Sequence, residues 1–488
     1  MVIESLKYKI LQQFGFAPTQ EQGQALDTFV SFLTDRDPQA VMILRGSAGT
    51  GKTSLSGAIV RTLLQIRQKV MLLAPTGRAA KVFSLGSGAP AYTIHRRIYR
   101  EKAFAGVDGQ FSLNDNLYTD TLFMVDEASM IANMGLGGTT FGSGCLLDDL
   151  VKFVYQGHND RLLLIGDKAQ LPPVGEEESP ALSASVMEGY GLKVYECDLN
   201  EVLRQSQSSG ILYNATLIRQ MITHDAVTGL PLIRFKGFAD IVMMPGAELV
   251  ESLGDSYHHV GMDETMVITR SNKRANIYNN GIRNMVLDRE EELSSGDMLM
   301  IVKNNYFWTE KEKKESGEGS AGAVPAFLAN GDRAKVLRVS NYIELYGFRF
   351  ATLLLQLPDY DDYEMQVTGM LDTLQSEAPA LTHEQQEELF RQVEEDYHHF
   401  VPLKADRMKS IRQDAYFNAL QIKYAYAVTC HKAQGGQWAH VYVDQGYMTD
   451  DMLTPDYIHW LYTAFTRATD KLFLVNWPKE QTCEPTDL

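Results

Sequence analysis

The chain has 488 residues, 44% of them hydrophobic, which is enough for roughly three to four domains with buried cores. Its formal net charge is −17, so a nucleic-acid-binding surface, which is normally basic, would have to be local. Four cysteines without a CxxC pair indicate neither a zinc site nor a disulfide framework. The stretch MVIESLKYKI has an acidic residue where a signal peptide has a basic region, and no apolar run approaches the ~20 residues of a membrane span, so we expect a cytoplasmic protein without a membrane partner.

Short continuous apolar runs, each followed by loop and helix signals, recur along the first part of the chain. They occupy residues 41–44, 70–74, 122–125 and 162–165. Such runs predict a parallel sheet that is buried on both faces. A second set at 266–269, 425–429, 441–443 and 472–475 predicts a second sheet of the same kind.

The segment between 327 and about 416 has a different pattern, with alternating β-branched and aromatic residues. This pattern predicts a small antiparallel barrel inserted into the second sheet domain. Much of the acidic excess lies between 359 and 396, where it indicates a solvated face. The polar, Gly/Ser-rich stretches at 310–322 and 133–144 predict flexible loops.

The stretch GSAGTGKTS at 46–54 follows the first apolar run and matches the phosphate-binding pattern G-x-x-x-x-G-K-[ST]. Its backbone N–H groups and the following helix N-terminus can hold phosphates. Lys52 would reach the β- and γ-phosphates and Thr53 would ligate Mg²⁺, so ATP and Mg²⁺ are the expected cofactors. The predicted nucleotide-binding residues in this loop are Gly46, Ser47, Ala48, Gly49, Thr50, Gly51, Lys52, Thr53 and Ser54.

Two carboxylates directly follow the third apolar run, in the stretch VDEAS. Adjacent carboxylates on a loop are usually only solvated, but after a strand in a chain with a phosphate-binding loop they favour ATP hydrolysis. Asp126 would position the magnesium and Glu127 would polarise the attacking water.

GDKAQLPPVG, at 166–175, follows the fourth run, and the amide of Gln170 could sense the γ-phosphate there. Arg204 and Arg467 come from segments outside the first sheet. Taken singly each arginine could be a surface residue, but a guanidinium is the group that stabilises charge on a transferring phosphate.

Nine motifs follow one another in the order and approximate spacing of the superfamily 1 helicases, over about residues 18–475. The chain most resembles the RecD/Dda branch, which includes the alpha subunit of exodeoxyribonuclease V. The motifs are PTQEQ, GSAGTGKTS, APTGRAAKVF with TIH downstream, VDEAS, GDKAQLPPVG, VLRQ, ITRSNKRAN, VTCHKAQG and YTAFTRA.

The resemblance implies a role for each matching residue. Gln22 would recognise adenine, Gln170 would contact the γ-phosphate, and Arg204 and Arg467 would act as arginine fingers. Gln434 and Gly435 would couple the DNA strand to the nucleotide. The residues expected along single-stranded DNA are Thr76, Arg78, His95, His431 and Lys432.

The resemblance also implies an α/β fold with two RecA-like P-loop NTPase domains. The first would comprise 1–95 and 121–200, interrupted by a small β-hairpin at 96–120. The second would comprise 201–326 and 416–488, interrupted at 327–415 by an SH3-like β-barrel with an acidic helical segment.

The expected function is ATP-driven 5′ to 3′ movement on single-stranded DNA with duplex unwinding, in DNA repair or recombination. Single-stranded DNA and junctions of single- and double-stranded DNA are the expected partners, and a nuclease or another repair or replication protein is a further candidate. Two alternatives stay open. One is a translocase that displaces proteins from DNA with little unwinding, and the other is a non-motor P-loop switch.

Overall fold

The structure is a computed structural model that describes residues 2–105, 108–135, 142–202, 208–223, 229–316, 324–325, 327–401 and 403–483. Its α-helices are α1 (Val2–Phe14), α2 (Gln20–Leu33), α3 (Lys52–Gln65), α4 (Gly77–Ser87), α5 (Ile94–Ile98), α6 (Leu146–Gln156), α7 (Ala184–Gly189), α8 (Gly210–Thr223), α9 (Leu249–His259), α10 (Asn272–Gly281), α11 (Phe307–Ser316), α12 (His383–His398), α13 (Lys404–Arg412), α14 (Cys430–Ala433) and α15 (Pro455–Phe465). None of these helices is long and apolar enough to cross a membrane, within the part of the chain that the structure describes.

The strands follow the apolar runs of the sequence. They are β1 (Ala40–Gly46), β2 (Lys69–Ala74), β3 (Ala91–Thr93), β4 (Tyr99–Ala105), β5 (Asp108–Leu113), β6 (Thr121–Val125), β7 (Arg161–Gly166), β8 (Lys193–Leu199), β9 (Ile241–Met244), β10 (Thr265–Thr269), β11 (Met298–Ile301), β12 (Arg333–Leu345), β13 (Phe348–Leu357), β14 (Tyr363–Met370), β15 (Leu420–Tyr424), β16 (Ala427–Thr429), β17 (Trp438–Asp444) and β18 (Ala468–Val475). The chain divides into two compact units, Met1–Pro245 with Ala433–Leu488, and Gly246–Lys432.

The first unit contains a six-stranded parallel sheet in the order β3-β2-β6-β7-β1-β8. Ile43 on β1 pairs with Leu164 on β7. Successive β1 residues enter different cores, since Met42 packs with the helices on one face and Val41 packs with α6 on the other. Burial on both faces is the reason why these strands are continuously apolar, and the predicted parallel sheet is confirmed.

The carboxyl ends of β1, β2, β6 and β7 lie at one edge of this sheet because the four strands are parallel. Ligands of open α/β sheets bind at that edge. The segments that leave it carry the phosphate-binding loop, Thr76, Asp126 with Glu127, and Gln170. The fold therefore brings motifs that are far apart in the sequence to one place.

A two-stranded antiparallel hairpin, β4 with β5, also belongs to the first unit and lies in the segment predicted to contain one. Ala105 pairs with Asp108, and the two residues between them, 106 and 107, lie outside the described residues. Three further strands of this unit, β17, β18 and β9, are parallel neighbours in that order.

The second unit is built around a closed barrel of β11, β12, β13, β14 and β15. Two further strands of this unit, β10 and β16, flank the barrel strands along the chain. They pair in parallel, with Val267 opposite Ala427.

The predicted α/β class with two RecA-like domains and a β-barrel insertion is confirmed. The barrel is not wholly antiparallel as predicted, because β14 and β15 pair in parallel, with Gly369 opposite Leu420. The barrel, however, takes β11 and β15 from segments that were predicted to belong to the second RecA-like domain, because Leu299 pairs with Tyr424 and closes it.

Two other expectations for the second unit have different outcomes. The flexible loop predicted at 310–322 is wrong for residues 310–316, which lie in α11, while 317–323 lie outside the described residues. The acidic segment forms α12, whose start is a capping box of Thr382 and Gln385. Leu389 and Val393 bury its apolar side against β13, and its charged side is left to the solvent. The domain boundaries themselves stay a prediction.

Candidate active site

The phosphate-binding loop lies between β1 and α3, as predicted. Gly49 and Gly51 both have a φ of 77°, in the left-handed region that glycine tolerates best. Gly51 is the N-cap of α3, and no described side chain caps this end of the helix. The uncapped N–H groups and the helix dipole make this end suited to an anion.

Hydrogen bonds within the first unit hold the loop in shape. Lys52 Nζ donates to the Gly46 carbonyl at 2.8 Å, and the Thr50 hydroxyl donates to the Ser47 carbonyl at 2.8 Å. The buried Gln22 side chain donates to the Thr50 carbonyl at 2.8 Å and accepts from the Thr19 N–H at 3.0 Å. Gln22 thus braces the loop, and its recognition of adenine stays a prediction.

Asp126 and Glu127 follow β6 at the same sheet edge as the loop. Burial, and then the neighbouring Glu127, raise the pKa of Asp126 to about 6, while Lys52 acts in the opposite direction. Glu127 has a φ of 53°, an uncommon conformation for a residue other than glycine. Thr53 lies in the first turn of α3 and is exposed. Its hydroxyl and the Asp126 carboxylate are hard oxygen donors, which Mg²⁺ prefers.

Gln170 links two of the other predicted catalytic residues. With its amide nitrogen towards Glu127, it donates to Glu127 Oε2 at 3.2 Å, and its oxygen accepts from Arg467 Nη2 at 3.2 Å. The side chains of Gln170 and Arg467 are both buried. Glu127, Gln170 and Arg467 therefore form a continuous polar chain, which the sequence motifs named but could not place in contact.

One face of α15 makes hydrogen bonds with the loop that contains Gln170. The Thr463 hydroxyl accepts from the Leu171 N–H at 2.8 Å, and His459 Nδ1 lies 2.9 Å from the Ala169 carbonyl oxygen. The sequence analysis did not single out His459 or Thr463. Their spacing from Arg467, at eight and four residues, is the helical signal that could have found them.

Tyr462 connects the same helix to the phosphate-binding loop. Its hydroxyl accepts from the Ala48 N–H at 3.0 Å and donates to Asp167 Oδ2 at 2.6 Å. Burial, followed by Asp167, raises the pKa of Tyr462 well above the usual value, so the hydroxyl keeps its proton. Tyr462 lies inside the YTAFTRA motif but was not predicted to belong to the site.

The two predicted arginine fingers have different outcomes. Arg467 reaches the site as described, and it also donates to the carbonyls of Thr463 and Gly436, both at 3.1 Å. Arg204 lies outside the described residues, so its role stays a prediction. A third arginine, Arg219 on α8, donates to the Ser47 hydroxyl of the loop and was not predicted.

The residues expected to couple DNA to the nucleotide contact the neighbouring motifs. Gln434 is buried and donates from Nε2 to the Leu171 carbonyl at 2.7 Å. Gly435 has a φ of 73°, and a Cβ there would lie 3.0 Å from both Thr76 Oγ1 and Ala79 Cβ. Glycine therefore permits a close approach between this segment and the start of α4.

Two of the expected DNA contacts are also engaged within the protein. The Thr76 hydroxyl caps α4 by accepting from the Ala79 N–H. Arg78 donates to the Gln437 carbonyl at 2.6 Å, and its guanidinium lies 4.5 Å from the centre of the Trp438 ring. Trp438 is buried, so its packing role is clear from the structure.

The other three expected DNA contacts differ in charge. Burial lowers the pKa of His95 to about 4, so its imidazole is neutral near pH 7. His431 is exposed on α14, next to Lys432, whose pKa burial lowers to about 8. His431 and Lys432 belong to the second compact unit, whereas Thr76, Arg78 and His95 belong to the first.

Comparison with known proteins identifies two families in chain order. A profile for the AAA domain matches residues 17–229, and a profile for the UvrD-like helicase C-terminal domain matches residues 424–475. The first covers the phosphate-binding loop and both carboxylates, and the second covers Arg467.

Relatives and solved structures extend the comparison. The ATP-dependent RecD2 DNA helicase of Deinococcus radiodurans is 30% identical over 157 residues, which cover 32% of this chain and 18% of the relative. The ATP-dependent DNA helicase Dda of Enterobacteria phage T4 is 25% identical over 267 residues, covering 53% of this chain and 55% of the relative. The chain thus spans about half of one relative's length and less than a fifth of the other's. The crystal structure of Pif1 helicase from Bacteroides with ADP-AlF3 and ssDNA has 13% identity and a TM-score of 0.45, and covers 96% of this chain and 95% of its own.

The two profiles match in the order of the motifs. These findings show that residues 17–229 are similar to an AAA domain, that residues 424–475 are similar to a UvrD-like helicase C-terminal domain, and that part of the chain is similar to the RecD2 and Dda DNA helicases.

Proposed function

We propose that the protein is an ATP-dependent DNA helicase that moves 5′ to 3′ along single-stranded DNA and unwinds duplex DNA. The single observation that carries the proposal is the polar chain of Glu127, Gln170 and Arg467 beside the phosphate-binding loop. It joins a carboxylate for water, an amide for the terminal phosphate and a guanidinium for the developing charge.

In the proposed hydrolysis, each group has a distinct task. Lys52 and the N–H groups at the start of α3 bind the phosphates. Glu127 accepts a proton from the attacking water, and Gln170 orients the Glu127 carboxylate by donating to Oε2. Arg467 stabilises the negative charge that develops on the transferring phosphoryl group. Thr53 and Asp126 would hold a magnesium ion, which supplies neutralisation of the phosphate charge when bound.

Coupling to DNA is proposed to pass through α15 and the segment before β17. Gln434 contacts the loop of Gln170 at Leu171, and Gly435 packs on Thr76 at the start of α4. A change at the γ-phosphate would therefore shift groups that lie next to the proposed DNA contacts. These contacts, Thr76, Arg78, His95, His431 and Lys432, are hydroxyls, rings and cations of the kind that bind a strand without reading its bases.

The direction of movement rests on the resemblance to the RecD/Dda branch, which moves 5′ to 3′. The relatives' names describe DNA helicases that use ATP, which supports DNA as the track. The β4–β5 hairpin favours unwinding over simple translocation, because a hairpin can separate strands without contacting the nucleotide. A nuclease or another repair or replication protein remains a candidate partner.

The test is ATPase activity with and without single-stranded DNA, followed by unwinding of a forked duplex. We expect strong stimulation by DNA and ATP-dependent strand separation. ATP hydrolysis without any DNA stimulation would favour the P-loop switch. DNA-stimulated hydrolysis without strand separation would favour the translocase that displaces proteins.

A further inference from the structure

Arg219 carries a buried guanidinium on α8 that contacts the phosphate-binding loop. We propose that this guanidinium binds the terminal phosphate of the nucleoside triphosphate and lets the site distinguish a triphosphate from a diphosphate. The inference rests on the nucleotide binding proposed above. It adds a cation that none of the sequence motifs contains.

The contacts of Arg219 place it at the first turn of the loop. Nη1 donates to the Ser47 hydroxyl, and both terminal nitrogens lie 3.4 Å from the Asn200 carbonyl oxygen. Lys52 Nζ is bound at the adjacent residue, on the Gly46 carbonyl at 2.8 Å. The lysine of this motif serves the β- and γ-phosphates, so the two cations converge on the same end of the nucleotide.

The position of α8 does not depend on this one contact. Leu212, seven residues before Arg219, lies on the same face of the helix, two turns away. A Cβ on Gly49 would lie 3.3 Å from the Leu212 side chain, so Leu212 touches the middle of the loop while Arg219 touches its start. The same helix face therefore runs along the phosphate-binding loop and delivers the guanidinium to it.

The charge of Arg219 is not balanced by a carboxylate among the described residues. Its hydrogen-bond partners are a hydroxyl and a carbonyl, although the residue is only 9% exposed. The Asp167 carboxylate, which like Arg219 influences the Tyr462 hydroxyl electrostatically, is bound to that hydroxyl. A buried cation that lacks an anion is costly, and a phosphate group at the loop would supply the missing negative charge.

Arg45 provides a matched comparison on β1, one residue before the loop begins. Its Nε lies 2.6 Å from Asp198 Oδ1 and its Nη2 lies 2.7 Å from Glu196 Oε2. Arg45 therefore already has two carboxylate partners. A position next to the loop does not by itself make a guanidinium a phosphate ligand. Arg45 differs from Arg219 because its charge is already paired with carboxylates.

The experiment compares the affinities of the purified protein for AMP-PNP and for ADP, both with Mg²⁺, by calorimetry. Arg219→Gln should weaken AMP-PNP binding by about 10- to 100-fold, the range expected for a charged hydrogen bond. ADP binding should change by less than about threefold, since ADP lacks the phosphate concerned. Arg219→Lys keeps the charge and should fall between the parent and Arg219→Gln. Arg45→Gln should leave the ratio of the two affinities unchanged.

A role of Arg219 as a brace for the loop makes a different prediction. In that case Arg219→Gln would weaken ADP and AMP-PNP equally, and Ser47→Ala, which removes the hydroxyl but keeps the guanidinium, would have the same effect. Either result overturns the inference. If Arg219→Gln does not fold, the ratio measured for Arg219→Lys decides between the two roles. If the parent protein binds neither nucleotide, the proposed function fails and this inference fails with it. If the parent binds both nucleotides and the variants keep its ratio of AMP-PNP to ADP affinity, only the inference is overturned.

Discussion

Lys52 separates chemistry from folding more cleanly than any other residue of the site. Its ammonium group is bound to the Gly46 carbonyl, and the side chain is only half-buried at the start of α3. Removal of the group therefore deletes the proposed phosphate ligand and one hydrogen bond, but little apolar packing.

We expect Lys52→Ala to abolish ATP hydrolysis and to change the free energy of unfolding by only about 1 kcal/mol, the value of one such hydrogen bond. Steady-state ATPase assays and thermal unfolding of the same preparation test this expectation. Normal turnover in the variant would contradict the assignment of the phosphate-binding loop.

Arg467 is proposed to act in the chemistry, and its contacts show that it also packs the site. It reaches Gln170, and it also donates to the carbonyls of Thr463 and Gly436. A loss of activity on substitution is informative only if the fold and the nucleotide affinity are measured as well.

We expect Arg467→Ala to lower kcat by about 1,000-fold or more, as the loss of an arginine finger does, with the affinity for ATP nearly unchanged. Arg467→Lys is the control that keeps the charge but loses the planar fork. A variant that unfolds at the assay temperature, rather than one that is folded and slow, would favour a structural role.

Lys432 is expected to make DNA binding depend on pH. Burial lowers its pKa from 10.5 to about 8, and the pKa of its neighbour Lys423 is lowered to about 8 by burial and then by the charge of Lys432. The ammonium group of Lys432 is charged below this pKa and loses its proton as the pH rises through it. Its attraction to a phosphate is therefore present at pH 7 and largely lost at pH 9.

We expect the affinity for single-stranded DNA to fall between pH 7 and pH 9 at constant ionic strength, as measured by fluorescence anisotropy. Lys432→Gln should bind more weakly at pH 7 and should show a smaller decrease. A variant with the same pH dependence as the parent would exclude Lys432 as the group responsible.

The helix α15 of the first unit connects two parts of the site. The helix α15 contacts the Gln170 loop through His459 and Thr463, and the phosphate-binding loop through Tyr462. Because a helix is stiff over three turns, a displacement at one of these contacts is transmitted to the others. This stiffness supports the proposed role of α15 in coupling.

The hairpin of β4 and β5 is anchored at its base. The Tyr99 hydroxyl donates to Asp149 on α6 at 2.7 Å, and both residues are buried. The Phe111 carbonyl accepts from the Gly142 N–H at 2.8 Å, which ties β5 to the end of the Gly-rich segment at 133–144. The part of that segment at 136–141 lies outside the described residues.

We expect a shortened hairpin, in which residues 104–111 are replaced by a tight turn, to lose most of its unwinding activity and to keep most of its DNA-stimulated ATPase activity. The reason is that the hairpin tip would split the strands without contacting the nucleotide. A gel-based unwinding assay and an ATPase assay on the same variant test the difference. Equal losses in both assays would show that the hairpin supports the fold of the first unit instead.

At the scale of the whole molecule, the net charge of −17 hides an uneven distribution. Acidic residues are concentrated on α12, whose apolar side is buried against the barrel. The expected DNA contacts lie on α4, α5 and α14 instead. Local cations can therefore bind a strand although the chain as a whole is acidic.

The direction of movement is also a property of the whole molecule. We expect a duplex with a 5′ single-stranded tail to be unwound with ATP and Mg²⁺, and an otherwise identical duplex with a 3′ tail to remain intact. Rising salt should weaken loading steeply, because each phosphate contact releases counterions. Preference for the 3′ tail would contradict the proposed polarity.

The sequence by itself determined the chemistry that depends on neighbouring residues. The phosphate-binding loop, the carboxylates after β6 and the glutamine after β7 are short motifs at the ends of apolar strands, and each can be recognised from its own few residues. The continuous apolar runs likewise determined the buried parallel strands, because a strand that is covered on both faces has no polar side.

Only the tertiary structure decided which distant groups meet. The barrel closes because β11 pairs with β15 across more than a hundred residues of chain, and neither strand's own sequence specifies that partner. Tyr462 and Arg219 reach the phosphate-binding loop from helices far along the chain, and a tyrosine or an arginine on a helix surface carries no local signal of such a contact. The physical reason is that these contacts arise when helices and sheets bury their apolar faces together, and burial is settled by the whole fold rather than by any single segment.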